Sequence, residues 1–387
     1  MVVPDLIHVI TPGDHYSPRT GSATSTVVHG LTSAAARDVG SPSQFVALDA
    51  STMRPRYDSA IAIEYTGVPA PTRNERIVDV ARGRVGLPRR AVARWFGPAA
   101  EAVARRPPSI VFAHNAPVLP WLLRDTEHRV VLYAHNDLLG TYTTAETARM
   151  LDGVAAIVCV SDSLATQLTR SLPGRLVERL HVVRNGVDCD VFAPPATESR
   201  PRSAGAALRI LFVGRMVRDK GVDVLVRAAA MIDRDDVEFV LVGSEGFDRN
   251  ADPSPYEREL RRLAAGVRAR IAFEPFVDRA SVSELLRTAD VSVVPSRWAD
   301  PCPLTVGEGL ATGLPVVASR VGGIPEVMGA SGRLVPPDDP AALAAAIGEL
   351  ADDAELRRRI GVEARERALT HDWGWAWSNL RTVIDAI

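Results

Sequence analysis

Lysine is nearly missing from this 387-residue chain: of 45 basic residues, 44 are arginine and one, Lys220, is lysine. GC-rich coding produces such a skew, so the scarcity carries no function by itself. It singles out the one basic position where arginine does not serve. Cysteine is scarce too. Cys159, Cys189 and Cys302 are odd in number, far apart and form no C-x-x-C pair, which argues against a disulfide scaffold and against a structural zinc site. Neither sign of charge is in excess: 45 basic residues against 47 acidic ones leave a formal charge of −2, with no global field to draw in nucleic acid. No apolar run approaches transmembrane length, and no basic leader precedes an apolar stretch at the N-terminus. A soluble cytoplasmic protein is the expectation.

What is present is enough apolar material for a sizeable core, 46% of residues, over a length suited to two domains. Strand-like runs at Leu6–Ile10, Gln44–Leu48, Ile61–Tyr65, Ile110–Ala113, Val130–Ala134 and Ala155–Val160 alternate with helical stretches. A Pro-, Ala-, Ser- and Arg-rich stretch, Phe192–Ala207, has no apolar periodicity and reads as a linker. The pattern then restarts at Leu208–Val213, with further runs at Val237–Val242, Ile271–Phe273, Val291–Val294, Val316–Ala318 and Arg333–Val335. A β-α-β series that begins twice predicts an α/β protein of two doubly wound, Rossmann-like domains, with ligands in the cleft beyond their strand ends. The expected domains are 1–193 and 208–365, joined by a linker at 194–207. A helical tail, 366–387, carries Trp373, Trp375 and Trp377 at period two, and these are expected to pack it back toward the N-terminal domain.

Two stretches carry chemistry. Gly214-Arg215-Met216-Val217-Arg218-Asp219-Lys220-Gly221 leaves a strand and enters a helix, where free backbone N–H groups and the helix dipole attract anions. Arg215 offers a fork of donors and Lys220 a mobile point charge, which together suit a diphosphate. The plainer reading is a glycine-bounded turn with solvated charges, but the only lysine falls at this helix start. In the second stretch, Pro295 to Glu308, Asp300 lies in a loop where a carboxylate accepts hydrogen bonds from sugar hydroxyls. Glu308 lies one turn into a helix that begins near Leu304, placed to accept a bidentate bond from a vicinal diol such as ribose. In isolation, a loop acid and a first-turn glutamate would be read as structural.

Followed by Gly313-Leu314-Pro315-Val316-Val317-Ala318-Ser319 and Gly322-Gly323-Ile324-Pro325-Glu326, the pair resembles the retaining glycosyltransferases of the GT-B fold, in particular glycosyltransferase family 4. Gly-Arg-x-x-x-x-Lys-Gly at Gly214–Gly221 and Asn-Gly-Val-Asp-x-x-x-Phe at Asn185–Phe192 add to the resemblance. It implies an acceptor-binding N-terminal domain and a C-terminal domain for a nucleotide-diphosphate sugar, UDP favoured and GDP an alternative. Arg215 and Lys220, with Gly214, would neutralise the diphosphate, and Glu308 would hold the ribose. Leu304 and Thr305 at the helix start, and backbone groups near Pro275–Val277, would complete the nucleotide site. Asp300 would contact the transferred sugar. In the first domain, Gly21 matches the glycine loop after the first strand, and His135 matches a histidine at a strand end that faces the sugar. His114, also at a strand end, ranks second. The acceptor would be a small molecule or a lipid-linked glycan, in natural-product or cell-envelope glycan biosynthesis.

Three departures from the family pattern bear on the donor sugar: Asp300 where glutamate is usual, Pro303 where many members have glycine, and Ser22 after Gly21 where a second glycine is common. Two D-x-D sequences, Asp188-Cys189-Asp190 and Asp233-Arg234-Asp235, fall outside any nucleotide site, so no metal and no other cofactor is expected. Between Ala81 and Ser109 stand Arg82, Arg84, Arg89, Arg90, Arg94, Arg105 and Arg106, with Trp95 and Phe96. A solvated face is favoured there over peripheral docking on a membrane, and Pro88 and Gly97-Pro98 are expected to break the helix. The rival enzyme class, a dinucleotide oxidoreductase, lacks its Gly-x-Gly-x-x-Gly fingerprint in both domains. A degenerate scaffold that binds nucleotide sugar without turnover is the alternative from outside the enzymes. Oligomeric state is not legible.

Overall fold

The computed structural model describes residues 4–195, 207–232 and 234–387. They fall into two compact units, Met1–Asn185 with Trp373–Ile387, and Gly186–Asp372. In the first unit, strands β1 (Leu6–Val9), β2 (Gln44–Asp49), β3 (Ile61–Tyr65), β4 (Ile110–His114), β5 (Arg129–Ala134), β6 (Ala156–Cys159) and β7 (Leu180–Val182) form one sheet in the order β3-β2-β1-β4-β5-β6-β7. Every pairing is parallel. Parallel neighbours need crossovers; helices supply them except between β2 and β3, which the helix-free stretch 50–60 connects. Six of these strands are the apolar runs expected from the sequence. The seventh is three half-buried residues at a sheet edge, too short to register as an apolar run.

The second unit repeats the scheme with β8 (Leu208–Val213), β9 (Val237–Val242), β10 (Arg270–Glu274), β11 (Val291–Val294), β12 (Val316–Ser319) and β13 (Arg333–Val335), in the order β10-β9-β8-β11-β12-β13. Alternate residues feed opposite faces. Ile210, Phe212, Phe239 and Leu241 join one buried cluster, whereas Leu211, Val240 and Val242 join the other. A strand covered on both faces must be apolar throughout, and this is why these runs read as continuous rather than alternating. In each sheet the strand order reverses beside the first strand, at β1/β4 and at β8/β11. The loops that leave those strands diverge to opposite faces, which opens a crevice at their C-terminal ends.

The structure moves three sequence-derived boundaries. Residues 186–193 belong with the second unit and not the first: Val187 and Phe192 are buried in its core, and Arg365 donates to the carbonyls of Cys189 and Phe192. The expected linker, 194–207, lies largely outside the described residues. The tail divides at 372/373. A helix over Ala354–Leu369 stays with the second unit, while the helix Trp373–Asp385 belongs to the first. There Trp373 packs over Gly30, and Trp377 Nε1 donates to Asp38 at 2.8 Å. Finally, Gly97-Pro98 does not break its helix, which runs from Arg90 to Ala104. Proline costs one backbone bond there, but burial of Phe96, Ala99, Ala100 and Val103 on one face offsets it.

Candidate active site

Both chemistry-bearing stretches leave the strands that flank the second unit's order reversal. After β8 the chain forms a 3-10 turn, Arg218–Lys220, then enters the helix Val222–Met231 through Gly221 in the left-handed conformation at φ 67°. A Cβ at Gly221 would stand 1.9 Å from the Pro295 carbonyl oxygen, so glycine is what lets this turn lie against the loop after β11. Lys220 Nζ reaches Asp300 Oδ2 at 2.5 Å, with 27% of the lysine side chain and 8% of the aspartate exposed. Asp300 is held from behind as well. Its carbonyl accepts from Gly323 N–H at 2.8 Å, and a Cβ on Gly322 would approach that oxygen to 2.3 Å. Arg215 is exposed, its Nε donating to the Glu245 carbonyl at 3.0 Å.

The helix Leu304–Ala311 starts at Pro303 with no side-chain cap. Its first-turn N–H groups at Leu304 and Thr305 therefore face an anion-attracting helix end. Glu308, one turn in, is 1% exposed, and Arg279 Nη2 approaches its Oε1 to 2.5 Å. That contact is ionic but not aligned as a hydrogen bond, and neither carboxylate oxygen has a hydrogen-bond partner among the described residues. Arg279 thus pairs the charge but leaves the carboxylate's hydrogen-bonding capacity unused, and two vicinal hydroxyls would fill it. Val277 packs its side chain against the core beside this helix, and the neighbouring Phe276 N–H bonds Ser244 at 3.3 Å.

The first unit holds the other two candidates. Gly21 precedes Ser22, which caps the helix Ala23–Arg37 and donates to Asp14 at 2.7 Å; serine at the family's second glycine position thus serves as an N-cap. His135 follows β5 and is not alone. Its Nε2 lies 2.8 Å from His114 Nδ1, and His114 Nε2 lies 2.9 Å from His8 Nδ1 on β1. His8 and His114 are fully buried. Burial depresses all three imidazoles. His8 is lowered to about 4 despite its bond to Gln44, His135 to about 3, and His114 well below its usual value, with His135 and His8 adding to the burial effect.

The model of group 1 glycosyl transferases matches residues 207–353, and that of glycosyltransferase family 4 matches residues 55–191. Spore coat protein SA of Bacillus subtilis is 30% identical over 63% of this chain and 68% of its own. The chain belongs to glycosyltransferase family 4. The D-inositol 3-phosphate glycosyltransferase of Corynebacterium glutamicum is 37% identical over 54% of this chain, and the match spans only about half of that relative, 52%. In fold, Anabaena HepE, crystallised with UDP and glucose, has a TM-score of 0.74 at 18% identity, over 99% of this chain and 100% of its own. Sucrose-phosphate synthase from Thermosynechococcus elongatus has a TM-score of 0.76 at 20% identity, over 99% and 98%. The fold is GT-B.

Within this family 4 chain, the structure brings Gly214, Arg215, Lys220, Asp300, Leu304, Thr305 and Glu308 to one end of the second sheet, and leaves Gly21 and His135 in the first unit. Sequence reasoning missed Arg279 and Arg297. Arg297 forms a fork to Asp223 at 2.7 and 2.8 Å and also bonds Asp338, while its backbone N–H bonds the Asp219 carbonyl. Burial works to raise the Asp223 pKa, yet hydrogen bonds from Arg297 and Tyr256 outweigh it and hold the carboxyl below its usual value. This network ties the loop carrying Asp300 to the turn carrying Lys220. No motif marks either arginine; their partners are distant in sequence.

Two other sequence features have structural occupations. Asp188 of the first D-x-D accepts from the N–H groups of Asp190 and Val191, which makes it a turn residue. Asp233 of the second lies outside the described residues. In the arginine-rich stretch, Arg89 is buried and paired with Glu146 at 2.6 Å, Arg106 lies over the Phe45 ring, and Arg94 pairs with Glu75. No helix among the described residues is long and apolar enough to cross a membrane.

Proposed function

We propose that this chain transfers a sugar, with retention, from a nucleotide-diphosphate sugar to an acceptor hydroxyl, and that it does so without a metal. The observation that carries the reading is the Lys220–Asp300 pair at the strand-order reversal, beside an uncapped helix start and a buried, unsatisfied Glu308. In this reading the diphosphate takes Lys220 away from Asp300 and adds Arg215 and the Leu304–Thr305 N–H groups. Fixed positive charge then stabilises the leaving group as the glycosidic bond breaks. Released from the lysine, Asp300 orients the sugar and offsets the positive charge developing at its anomeric carbon. Glu308 exchanges Arg279 for the ribose hydroxyls. His135 is assigned to a sugar hydroxyl. No carboxylate is assigned as a nucleophile, so the acceptor attacks from the face the diphosphate leaves, and its proton passes to the departing phosphate.

UDP is the favoured nucleotide, since HepE was crystallised with it, and GDP is the alternative. Relatives named for D-inositol 3-phosphate and for alpha-maltose-1-phosphate support a small polar acceptor; a lipid-linked glycan, met at a membrane surface, is the second candidate. The test is release of nucleoside diphosphate from UDP-, GDP-, ADP- and dTDP-glucose in excess EDTA. Turnover of one donor, lost in Lys220→Ala, is expected. Tight binding of a donor with no release, with or without added Mg²⁺ and with inositol phosphates present, would identify a scaffold instead.

A further inference from the structure

We propose that Gln44 is a positioning residue that fixes the tautomer of His135 through two intervening histidines, so that His135 Nδ1 is presented only as a hydrogen-bond acceptor. One group at the end of the relay has a polarity beyond choice. The Pro42 carbonyl can only accept, and Gln44 Nε2 lies 2.9 Å from it. The Gln44 amide is therefore oriented with its Oε1 toward His8 Nε2, at 3.3 Å. An acceptor at that end requires His8 to carry its proton on Nε2 and a lone pair on Nδ1. His114 must then donate from Nε2 across 2.9 Å, which leaves its Nδ1 bare, and His135 must donate from Nε2 across 2.8 Å. The remaining nitrogen, His135 Nδ1, carries a lone pair.

Reversing the chain places two acceptors face to face, either at Gln44 and His8 or at Pro42 and Gln44. Gln44, His8 and His114 are 7%, 0% and 0% exposed, so water is not at hand to repair the mismatch. Turning one ring over is also opposed. A flip of the His135 ring would put carbon in place of Nε2 opposite His114 Nδ1 and forfeit the 2.8 Å hydrogen bond between them. Burial, which depresses all three imidazoles, keeps the relay neutral and so keeps Nδ1 free of a proton. A partner for Nδ1 must bring its own hydrogen. An O–H qualifies, while a carbonyl, carboxylate or phosphate oxygen does not. That the O–H belongs to a sugar rests on the function proposed above; the polarity of the relay does not.

The experiment is two-bond ¹⁵N–¹H correlation NMR on histidine-labelled protein at pH 7, beside steady-state kinetics with UDP-glucose. The three relay rings, assigned by single substitutions, are expected to be protonated on Nε2 alone. Gln44→Met removes the polar anchor and should let an Nδ1-protonated form appear at His135, with kcat lowered on the order of tenfold and KM little changed. Gln44→Glu, with a protonated carboxyl that donates to the Pro42 carbonyl and accepts from His8, should restore the wild-type ring pattern. A wild-type His135 protonated on Nδ1, or a Gln44→Met spectrum identical to wild type, overturns the proposal. If Gln44→Met does not fold, the wild-type spectrum still decides. Absence of turnover with intact Nε2 tautomers would count against the sugar-transfer reading and leave the relay standing.

Discussion

Lys220 Nζ and Asp300 Oδ2, 80 residues apart in sequence, stand 2.5 Å apart at the reversal of the second sheet. The only lysine of the chain is thus neutralised by the carboxylate that the proposed reaction needs free. Each partner holds the other in place until something more strongly charged arrives. In the proposed reaction a diphosphate would be such a thing, and the exchange would couple donor binding to release of the acid.

Lys220→Ala should lower kcat/KM by about 3 kcal/mol, the scale of a preorganised transition-state donor, and should also lower the melting temperature because Asp300 is left buried without a counter-charge. Lys220→Arg should recover part of both, since a planar fork replaces a point charge. Steady-state kinetics and a thermal melt check this pair. Wild-type turnover by the alanine variant would refute the site.

Asp300 and Glu308 should separate cleanly. Asp300→Asn frees Lys220, so affinity for free nucleoside diphosphate should rise, by about 1 kcal/mol, while kcat falls. Glu308→Gln should weaken nucleotide and intact donor alike, because the ribose does not react. Calorimetry with UDP beside kinetics with UDP-glucose distinguishes the two roles; weaker UDP binding by Asp300→Asn would contradict the exchange.

Arg279 covers Glu308 and should behave as a shield. Arg279→Met leaves the carboxylate buried and alone, so the ligand-free protein should lose about 3 kcal/mol. Saturating UDP should then raise the melting temperature of the variant more than that of wild type. Equal shifts in the two proteins would show that Glu308 does not meet the nucleotide.

The histidine relay sets a pH dependence of stability. The folded pKa of His8, about 4, lies below the unfolded value of 6.5, so in that window the unfolded chain binds more protons and stability rises with pH. Acidification from pH 7 to 5 should cost about 2 kcal/mol for His8 alone, with His114 acting in the same direction. Urea midpoints at pH 7 and 5, for wild type and His8→Phe, measure it; the variant should show the smaller pH effect.

Transfer in excess EDTA should match transfer with Mg²⁺ or Mn²⁺ within a factor of about two, since Lys220 and Arg215 are assigned the leaving-group charge. Strict metal dependence would contradict that assignment.

The strands were legible because a sheet covered on both faces writes itself as unbroken apolar runs, and the start of the helix at Val222 was legible because Gly221 marks it. β7 was not, since three edge residues bury too little to leave a pattern. The helix through Pro98 was misread because a local penalty is visible in sequence and the burial that outweighs it is not. At the site, motifs supplied Lys220, Asp300 and Glu308, but their mutual pairing and the roles of Arg279 and Arg297 depend on which distant loops meet. The relay is the clearest case: His8 and His114, 106 residues apart, become neighbours only once β1 lies beside β4.

The placement of Trp373–Ile387 with the first unit has a consequence for how the protein is made. On the ribosome, the first unit's sheet is complete when residue 182 has emerged, yet Gly30 and Asp38 still await Trp373, Trp377 and Arg381. The unit that begins first is therefore finished last, after the whole of the second has been synthesised. A fragment ending near Asn185 should expose the face of the helix Ala23–Arg37 that these residues cover, and supplying the Trp373–Ile387 helix as a separate peptide should close it.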